Sequence, residues 1–278
     1  MTRRRSLFTL VLLAVLVLAG CATNNTGGTP STSTPSGSTP AASTPAGTTP
    51  TSPTLTIRSI KVGTEADYPP FEDTTPDGKI VGFDIDLMTE IGNRTGINVS
   101  YQNAQFTAII PSIQSGQFDA GISAFTITDE RKQQVDFSVS YYDNSLMVGV
   151  RSGSADINKP EDLQAHKVCT QTGTTSYDYL VAHGQKNESM LLEDHFPDCV
   201  PALERGDVDA MMIDRAVVRT LITSSNGQLK KAFEVPTEEQ FGIAIAKGKP
   251  ELLTAINGAL VSMKQDGTLQ TLADKWQV

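Results

Sequence analysis

The sequence is short of cysteine, histidine and positive charge. Its 278 residues include three cysteines, three histidines and one tryptophan, and the histidines show no ligand spacing with the cysteines. Because a zinc-type site needs such spacing, we expect no metal site. The 22 lysines and arginines are outnumbered by 31 acidic residues, which gives a net charge of -9. An acidic chain does not suit nucleic acid, so we expect no nucleic-acid partner.

Long apolar runs are also absent, apart from one at the N-terminus. Arginines at positions 3–5 precede the apolar run Leu7–Gly20, which is too short for a bilayer that needs about 20 residues. This pattern predicts a signal peptide over residues 1–20. The tetrad Leu18-Ala19-Gly20-Cys21 matches the bacterial lipobox, in which Cys21 is lipidated. The alternatives are a chance cysteine after an ordinary signal peptide and, for export, the twin-arginine route instead of the Sec route.

A polar linker follows the apolar run. Residues 22–54 are almost wholly Thr, Ser, Pro, Gly, Ala and Asn, a composition that buries too little apolar surface to offset the entropy of ordering. Residues 21–54 are therefore predicted to be a lipidated cysteine and a disordered tether. The folded part begins near Leu55 and is long enough for two small lobes. Anchor and tether together predict an extracytoplasmic protein attached to the bacterial cell membrane.

Two segments of the folded part echo each other, residues 113–123 and residues 203–214. In each, a glycine follows a helical pattern and an aspartate stands just before an alanine and an apolar run. Glycine ends a helix because it accepts a positive φ, and the apolar run suits a buried strand. Two similar α/β lobes are predicted. Polar groups near Ser123 and at Asp214 would lie at the carboxyl ends of strands, where open α/β sheets bind ligands.

Residue periodicity predicts further α/β units, with C-terminal elements that return to the first lobe. Residues 64–71 are predicted to be a loop, because the pair Pro69-Pro70 prevents regular structure. Helices are predicted over residues 84–94, 108–115, 172–183, 200–205, 215–223, 251–264 and 269–276, and strands over residues 57–63, 98–102, 146–151, 167–170, 190–193 and 241–246.

Four motifs in order resemble the extracellular solute-binding proteins, family 3, of polar amino acid ABC transporters. They are Tyr68-Pro69-Pro70-Phe71, Gly82-Phe83-Asp84-Ile85-Asp86-Leu87, Ile127-Thr128-Asp129-Glu130-Arg131 and Asp136-Phe137-Ser138-Val139-Ser140-Tyr141-Tyr142. The resemblance implies the type II periplasmic-binding-protein fold, in which two α/β lobes are joined by a two-strand hinge with the ligand cleft between them. Lobe 1 would comprise residues 55–144 and 237–278, and lobe 2 residues 145–236.

The resemblance also implies a function. Such a protein binds a free L-amino acid by lobe closure and delivers it to an ABC transporter permease and its ATPase complex. It is not an enzyme, and it needs no cofactor. We expect a monomer held to the membrane through its lipid anchor.

One group of residues would bind the ligand's α-carboxylate. Arg131 resembles the family arginine that holds it by two parallel hydrogen bonds; the alternative is a surface ion pair with Asp129 or Glu130. Ser123 and Thr126 resemble positions that supply hydrogen bonds to the carboxylate and the ammonium.

A loop of the second lobe would complete this subsite. Thr174 and Thr175 resemble residues that also meet the carboxylate. Both lie at the N-terminus of a predicted helix, where free N–H groups suit an anion. A plain N-cap is the alternative, and the two roles are compatible.

A second group would bind the ammonium and the side chain. Asp214 resembles the family aspartate that pairs with the ammonium; the alternative is a cap for the helix that follows. Tyr68 and Phe106 resemble the aromatics that enclose the side chain. Phe71 stays open between a wall and the core, and Phe125 is placed to narrow the pocket.

Two residues bear on ligand choice. Glu65 resembles a position where the family places an acid facing the ligand's distal group, and Gln171 a position that is lysine in some glutamine binders. An acid without a nearby lysine favours a cationic side chain such as that of arginine, lysine or histidine. Glutamine or another polar amino acid is the alternative, as is a Glu65 that points to solvent.

Two rival functions and one covalent link remain open. A dehydratase-type enzyme could use Glu65 as a general acid, and a sensor could pass closure to a membrane partner. Cys169 and Cys199 could form a disulfide, as an exported protein can, or remain two buried thiols.

Overall fold

A computed structural model describes residues 56–154 and 156–278. The predicted signal peptide, Cys21 and tether lie outside these residues. In the described part, the strands are β1 Ser59–Thr64, β2 Asp67–Tyr68, β3 Glu72–Thr74, β4 Ile80–Val81, β5 Asn98–Asn103, β6 Ala120–Gly121, β7 Asp136–Phe137, β8 Tyr142–Arg151, β9 Val168–Gln171, β10 Met190–Glu193, β11 Ala210–Asp214, β12 Leu229–Phe241 and β13 Ala244–Ile245. The helices are α1 Phe83–Thr95, α2 Phe106–Gln114, α3 Asp129–Gln134, α4 Thr175–Ala182, α5 Cys199–Arg205, α6 Arg215–Ser224, α7 Pro250–Gln265 and α8 Thr268–Trp276.

Two five-stranded sheets carry the fold. The first has the order β5-β1-β6-β13-β7, and the second the order β10-β9-β11-β8-β12. In the first sheet β1 is parallel to β5 and β6, and in the second β9 is parallel to β10 and β11. The two-lobe α/β fold class predicted from the sequence is confirmed.

The echo between the two segments extends to their hydrogen bonds. Gly116 and Gly206 have φ angles of 77° and 83°, as helix-ending glycines require. Asp119 accepts the Lys61 backbone N–H through its carboxylate at 2.9 Å, and Asp209 accepts that of Lys167 at 2.9 Å. Each aspartate N–H in turn donates to the carbonyl of the same lysine. The two lobes therefore start their central strand pairs in the same way.

Two long strands connect the sheets. β8 and β12 pair antiparallel from Leu229 opposite Arg151 to Phe241 opposite Tyr142. The predicted lobe boundaries, 144/145 and 236/237, fall inside these two strands; as domain limits they stay a prediction. The strand predicted over residues 241–246 is wrong in its extent, because Phe241 ends β12 and β13 is a separate short strand.

Two further predictions need correction. Residues 64–71 are not all loop, because Asp67–Tyr68 pairs with Glu72–Thr74 in a small three-stranded sheet. Helix α2 begins at Phe106, before the predicted start at Ala108, so that Pro111 lies inside it. The earlier start brings the N-terminus of α2 to the cleft, where the Phe106 N–H binds a side chain described below.

Packing and covalent links hold the second lobe. Cys169 in β9 and Cys199 at the start of α5 form a disulfide with a Cα–Cα distance of 5.6 Å. Both cysteines are fully buried among the side chains of the core. Among the described residues, none of the helices combines the length and the apolar character that a membrane crossing requires.

Candidate functional site

A small cavity lies between the loops that follow the strands of the two sheets. All ten residues predicted to bind ligand line it, together with Ala124, which the sequence analysis did not select. The lining residues are Glu65, Tyr68, Phe106, Ser123, Ala124, Thr126, Arg131, Gln171, Thr174, Thr175 and Asp214.

Helix α3 positions Arg131 at this cavity. Thr128 caps the helix, because its hydroxyl accepts the Arg131 N–H at 3.2 Å. The guanidinium donates to the Thr126 carbonyl at 2.8 Å and to the Gly173 carbonyl at 3.0 Å. It makes no ion pair with the acids beside it in sequence, and Asp129 pairs with Lys132 instead, at 3.1 Å.

The charge of Arg131 is therefore not neutralised by a direct carboxylate partner among the described residues. Its guanidinium carbon lies 5.3 Å from the ring centre of Phe106 and 5.6 Å from that of Phe125. Burial lowers the pKa of Arg131, while Asp214 and other nearby acids oppose that shift. A guanidinium held by carbonyls and aromatic faces suits an anionic partner.

Asp214 stands at the end of β11 and is 8% exposed. One oxygen accepts the Tyr68 hydroxyl and the other the Asn144 amide, each at 2.5 Å. Its side chain does not cap α6, which excludes the alternative role considered for it. Burial, and next the charge of Glu239, raise the pKa of Asp214 to about 7. A cation placed beside this carboxylate would favour its charged form.

Glu65 lies at a further wall of the cavity and is 2% exposed, so it does not point to solvent. Its oxygens accept the Phe106 N–H at 3.0 Å and the Gln171 amide at 2.6 Å. The ring nitrogen Nδ1 of His195 lies 3.2 Å away. Burial raises the pKa of Glu65 to about 7, while the hydrogen bonds from Gln171 and Phe106 oppose the shift.

The two threonines at the start of α4 have different tasks. Thr174 is the N-cap: its hydroxyl accepts the Tyr177 N–H at 3.4 Å and donates to the Gln171 carbonyl at 2.7 Å. Thr175 begins the helix, and its side chain lies near the Glu239 carboxylate. The capping role and a place at the cavity therefore coexist, as the sequence allowed.

The hydroxyl of Ser123 is already engaged within the first lobe. It accepts the Glu65 N–H at 3.0 Å and donates to Glu72 at 2.9 Å. Ser123 can therefore act on a ligand through its backbone, and it fixes Glu65 from behind. Thr126 lends its carbonyl to Arg131, as described above.

The aromatic candidates separate into wall and core. Tyr68 and Phe106 line the cavity. Phe71 is fully buried and packs edge-on against Phe83, Tyr142 and Phe241, which makes it a core residue. Phe125 stacks on Phe106 with ring centres 4.7 Å apart; it supports the wall from behind.

The family model described as bacterial extracellular solute-binding proteins, family 3, matches residues 60–278. This chain belongs to that family.

Named relatives fit this membership. The L-cystine-binding protein TcyJ of Escherichia coli (strain K12) is 32% identical over 78% of this chain and 82% of its own length. The ABC transporter arginine-binding protein 1 of the same strain is 34% identical over 78% and 90%. A solved structure, an ancestral arginine-binding protein bound to arginine, is 39% identical over 78% of this chain and 97% of its own, with a TM-score of 0.74.

Four polar residues of this solute-binding protein's cleft escaped the sequence analysis. His195 contacts Asp67 at 2.7 Å as well as Glu65, and Asn144 joins Asp214 to Glu239. The histidine was considered only for spacing with cysteines. Asp67 lies in β2 and Glu239 in β12, two strands that were not predicted, and Asn144 lies in β8 before its predicted start, so no local pattern marked these three.

One atom each of Glu65, Asp67 and His195 lies within 4.8 Å of the other two, a set whose residue types could hold a metal ion. The contacts among them are also those of an ordinary histidine between two acids. The absence of a metal site therefore remains a prediction.

Proposed function

We propose that this protein binds a free L-amino acid between its two lobes and delivers it to the permease and ATPase of an ABC importer. The favoured ligand has a cationic side chain, as arginine, lysine or histidine can. The observation that carries this choice is Glu65, a buried carboxylate in the same cavity as Arg131 and Asp214.

The charges of the cavity complement such a ligand. Arg131 would hold the α-carboxylate by two parallel hydrogen bonds, and Asp214 would meet the α-ammonium. Glu65 would then meet the distal cation, since a buried carboxylate without an opposite charge costs several kcal/mol. The raised pKa of Glu65 and of Asp214, each about 7, supports the need for two cationic groups.

A neutral amide such as glutamine is the second candidate. Gln171 and His195 already contact Glu65, so this carboxylate has polar partners of its own. A ligand amide could add one more donor without adding charge. The named relatives, which bind cystine and arginine, leave room for both kinds of side chain.

We propose a binding role in preference to a catalytic one. A cavity that offers Arg131 and Asp214 to a zwitterion suits capture of the whole amino acid, and the named relatives are binding proteins. A dehydratase-type enzyme with Glu65 as general acid, and a sensor, are the less favoured functions.

A lipid anchor at Cys21 is part of the proposal, although Cys21 lies outside the described residues. The family is extracellular by description, and a disulfide such as Cys169–Cys199 persists in oxidising compartments. Replacement of the lipidated residue, Cys21→Ala, should release the protein from membranes into the soluble fraction. A variant that stays membrane-bound as firmly as wild type would contradict the anchor.

A thermal-shift screen of the purified protein against the common amino acids and cystine tests the ligand. A true ligand at 100 times its Kd adds about 2.7 kcal/mol to the free energy of unfolding, so it will stand out. We expect arginine or another basic amino acid to give the largest shift, and Arg131→Ala to abolish it. A screen in which no amino acid stabilises wild type would sink the proposed function.

A further inference from the structure

The two connecting strands, β8 and β12, pair with each other beside the cavity. In the antiparallel pairing of β8 and β12, Asn144 stands opposite Glu239. The register of β12 shifts between Val235 and Glu239, and Glu238 has a φ of +51°, in the left-handed region. This irregularity interrupts the ladder directly before Glu239, at the point where the two strands pass the cleft.

Asn144 carries the contact from the strands to the cavity. The residue is 5% exposed, and its Nδ2 donates to Asp214 at 2.5 Å and to Glu239 at 2.9 Å. Its own Oδ1 is buried and has no hydrogen-bond partner within the described chain. One amide group therefore bridges two carboxylates, and only one of them, Asp214, lines the cavity.

The pair of carboxylates leaves an excess of negative charge at this place. The charged or titratable groups that face Glu239 and Asp214 are Arg131 and Tyr68. Arg131 is already directed to the carbonyls of Thr126 and Gly173. Two carboxylates held close together in a partly buried site repel each other. A cation between or beside them offsets this repulsion.

We propose that Glu239 is a second carboxylate of the ammonium subsite, a positioning residue that acts through Asn144 and Asp214. This inference rests on the proposed function, because it requires a ligand with an α-ammonium. Glu239 would strengthen the attraction for that ammonium and would tie its binding to the strands that connect the lobes.

A purely structural role for Glu239 is the competing explanation. Its carboxylate accepts a hydrogen bond from Asn144 and lies near the side chain of Thr175, and these contacts alone could justify its presence. Glu239→Gln separates the two explanations, since glutamine keeps an acceptor oxygen for Asn144 but carries no charge. The matched control is Glu238→Gln, which changes the exposed neighbour on the same strand.

The experiment is calorimetric titration of wild type, Glu239→Gln and Glu238→Gln with L-arginine and with L-glutamine at pH 6, 7 and 8. Both ligands carry the same ammonium, so both should bind Glu239→Gln more weakly at pH 8, by roughly 10-fold. Glu238→Gln should match wild type. Thermal unfolding without ligand checks that the variants are folded.

The pH profile supplies the readout that a structural role would not change. In wild type, affinity should fall as the pH drops through about 7, because Asp214 takes up a proton. Removing the charge of Glu239 lowers the pKa of Asp214, so the affinity of Glu239→Gln should fall less and the difference from wild type should narrow at pH 6. This smaller difference between wild type and Glu239→Gln at pH 6 must be seen with L-glutamine, because the binding of its neutral side chain does not depend on the charge of Glu65.

Three results would overturn the inference. Equal affinities of Glu239→Gln and Glu238→Gln at every pH would show that the charge of Glu239 does not contribute to ligand binding. A constant loss from pH 6 to pH 8 would indicate a structural role. If no amino acid of the thermal-shift screen binds wild type, the proposed function fails first, and this inference falls with it; that failure is recognised in wild type and needs no variant.

Discussion

At the scale of single residues, the proposed function assigns Arg131 and Asp214 to groups that every amino acid has, and Glu65 to the side chain of the ligand. Arg131→Ala would leave the ligand carboxylate without its main cation, and Asp214→Ala would leave the ammonium without its anion. Removing one partner of a buried charge pair costs about 3 to 5 kcal/mol, or roughly 100-fold to 5,000-fold in affinity. In each variant, the loss of affinity should be the same for arginine as for glutamine, because both ligands carry the same carboxylate and ammonium.

Glu65→Gln should behave differently. It keeps the shape of the side chain but removes its charge, so it should weaken arginine far more than glutamine. Glu188→Gln, in an exposed turn, is the control for a lost negative charge elsewhere. Calorimetry with both ligands decides the matter, and an unchanged ranking of ligands in Glu65→Gln would remove the chief support for a basic ligand.

Behind the cavity wall, two buried acids form a pair that should make stability depend on pH. Asp84 accepts the Ala124 N–H at 2.8 Å and the Tyr141 hydroxyl at 2.9 Å, and its charge is among the causes that raise the pKa of Glu72. Burial raises the pKa of both acids, that of Asp84 to about 7. Because the folded protein holds a proton that the unfolded chain releases near pH 4, stability should fall as the pH rises from about 4 through about 7.

The variant Glu72→Gln tests this pair. A glutamine amide imitates the protonated acid at every pH, so the difference in unfolding free energy between pH 5 and pH 8 should shrink by about 1 to 3 kcal/mol. Asp156→Asn, at an exposed position, should leave it unchanged. Urea denaturation at the two pH values measures the effect; equal pH dependence in wild type and Glu72→Gln would refute it.

At the scale of secondary-structure elements, the disulfide fastens strand β9 to helix α5. Cys169 and Cys199 are 30 residues apart, and a loop of that length predicts a stabilisation of about 3 to 4 kcal/mol on the chain-entropy model. Reductant should lower the urea midpoint of wild type by the corresponding amount. The double variant Cys169→Ser/Cys199→Ser, which has no bridge to lose, should be insensitive to reductant. Alkylation of both thiols in the unreduced protein would disprove the link.

The sequence predicted elements where a local signal exists. Helix α1, predicted over residues 84–94, ends before Gly96 in the left-handed conformation, and that glycine is visible in the sequence. Strand β12 was missed because Leu229–Phe241 alternates irregularly between buried and exposed positions and contains Pro236. Its pairing with β8 holds it in place, and that contact spans a distance in sequence that no local pattern reports.

The same reasoning explains which site residues were found. The ten predicted residues belong to short motifs next to strand and helix ends, where the resemblance to a family could be read directly. Asn144, His195 and Glu239 act through partners far away in the chain, 70 to 130 residues from them. Only the folded chain brings these partners together.

At the scale of the whole molecule, contacts across the cleft predict a hinge motion. Gln171, in the second lobe, donates a hydrogen bond to Glu65 in the first lobe. Tyr68, in the first lobe, donates one to Asp214 in the second. A ligand that bridges Arg131 and Asp214 would stabilise the closed arrangement, as in other hinge-closing proteins. Saturating L-arginine should therefore reduce the radius of gyration in solution scattering without changing the far-ultraviolet circular dichroism.

The matched control for closure is Arg131→Ala at the same arginine concentration, which should show no reduction. A radius that stays constant for wild type under conditions where calorimetry shows binding would mean that the lobes do not move on binding. The two measurements together separate a failure of closure from a failure of binding.

The sequence echo between the two lobes also bears on the direction in which a ligand lies in the cleft. The offset that matches Gly116 with Gly206 and Asp119 with Asp209 also matches Ala124 with Asp214, and both of these residues line the cavity. Two identical lobes would bind a ligand equally well in either orientation. Here the two halves differ at this pair of positions, because the first lobe has a methyl group where the second has a carboxylate. Under the proposed function, an amino acid would therefore bind in one direction, with its amino end toward Asp214 and its carboxyl end toward Arg131.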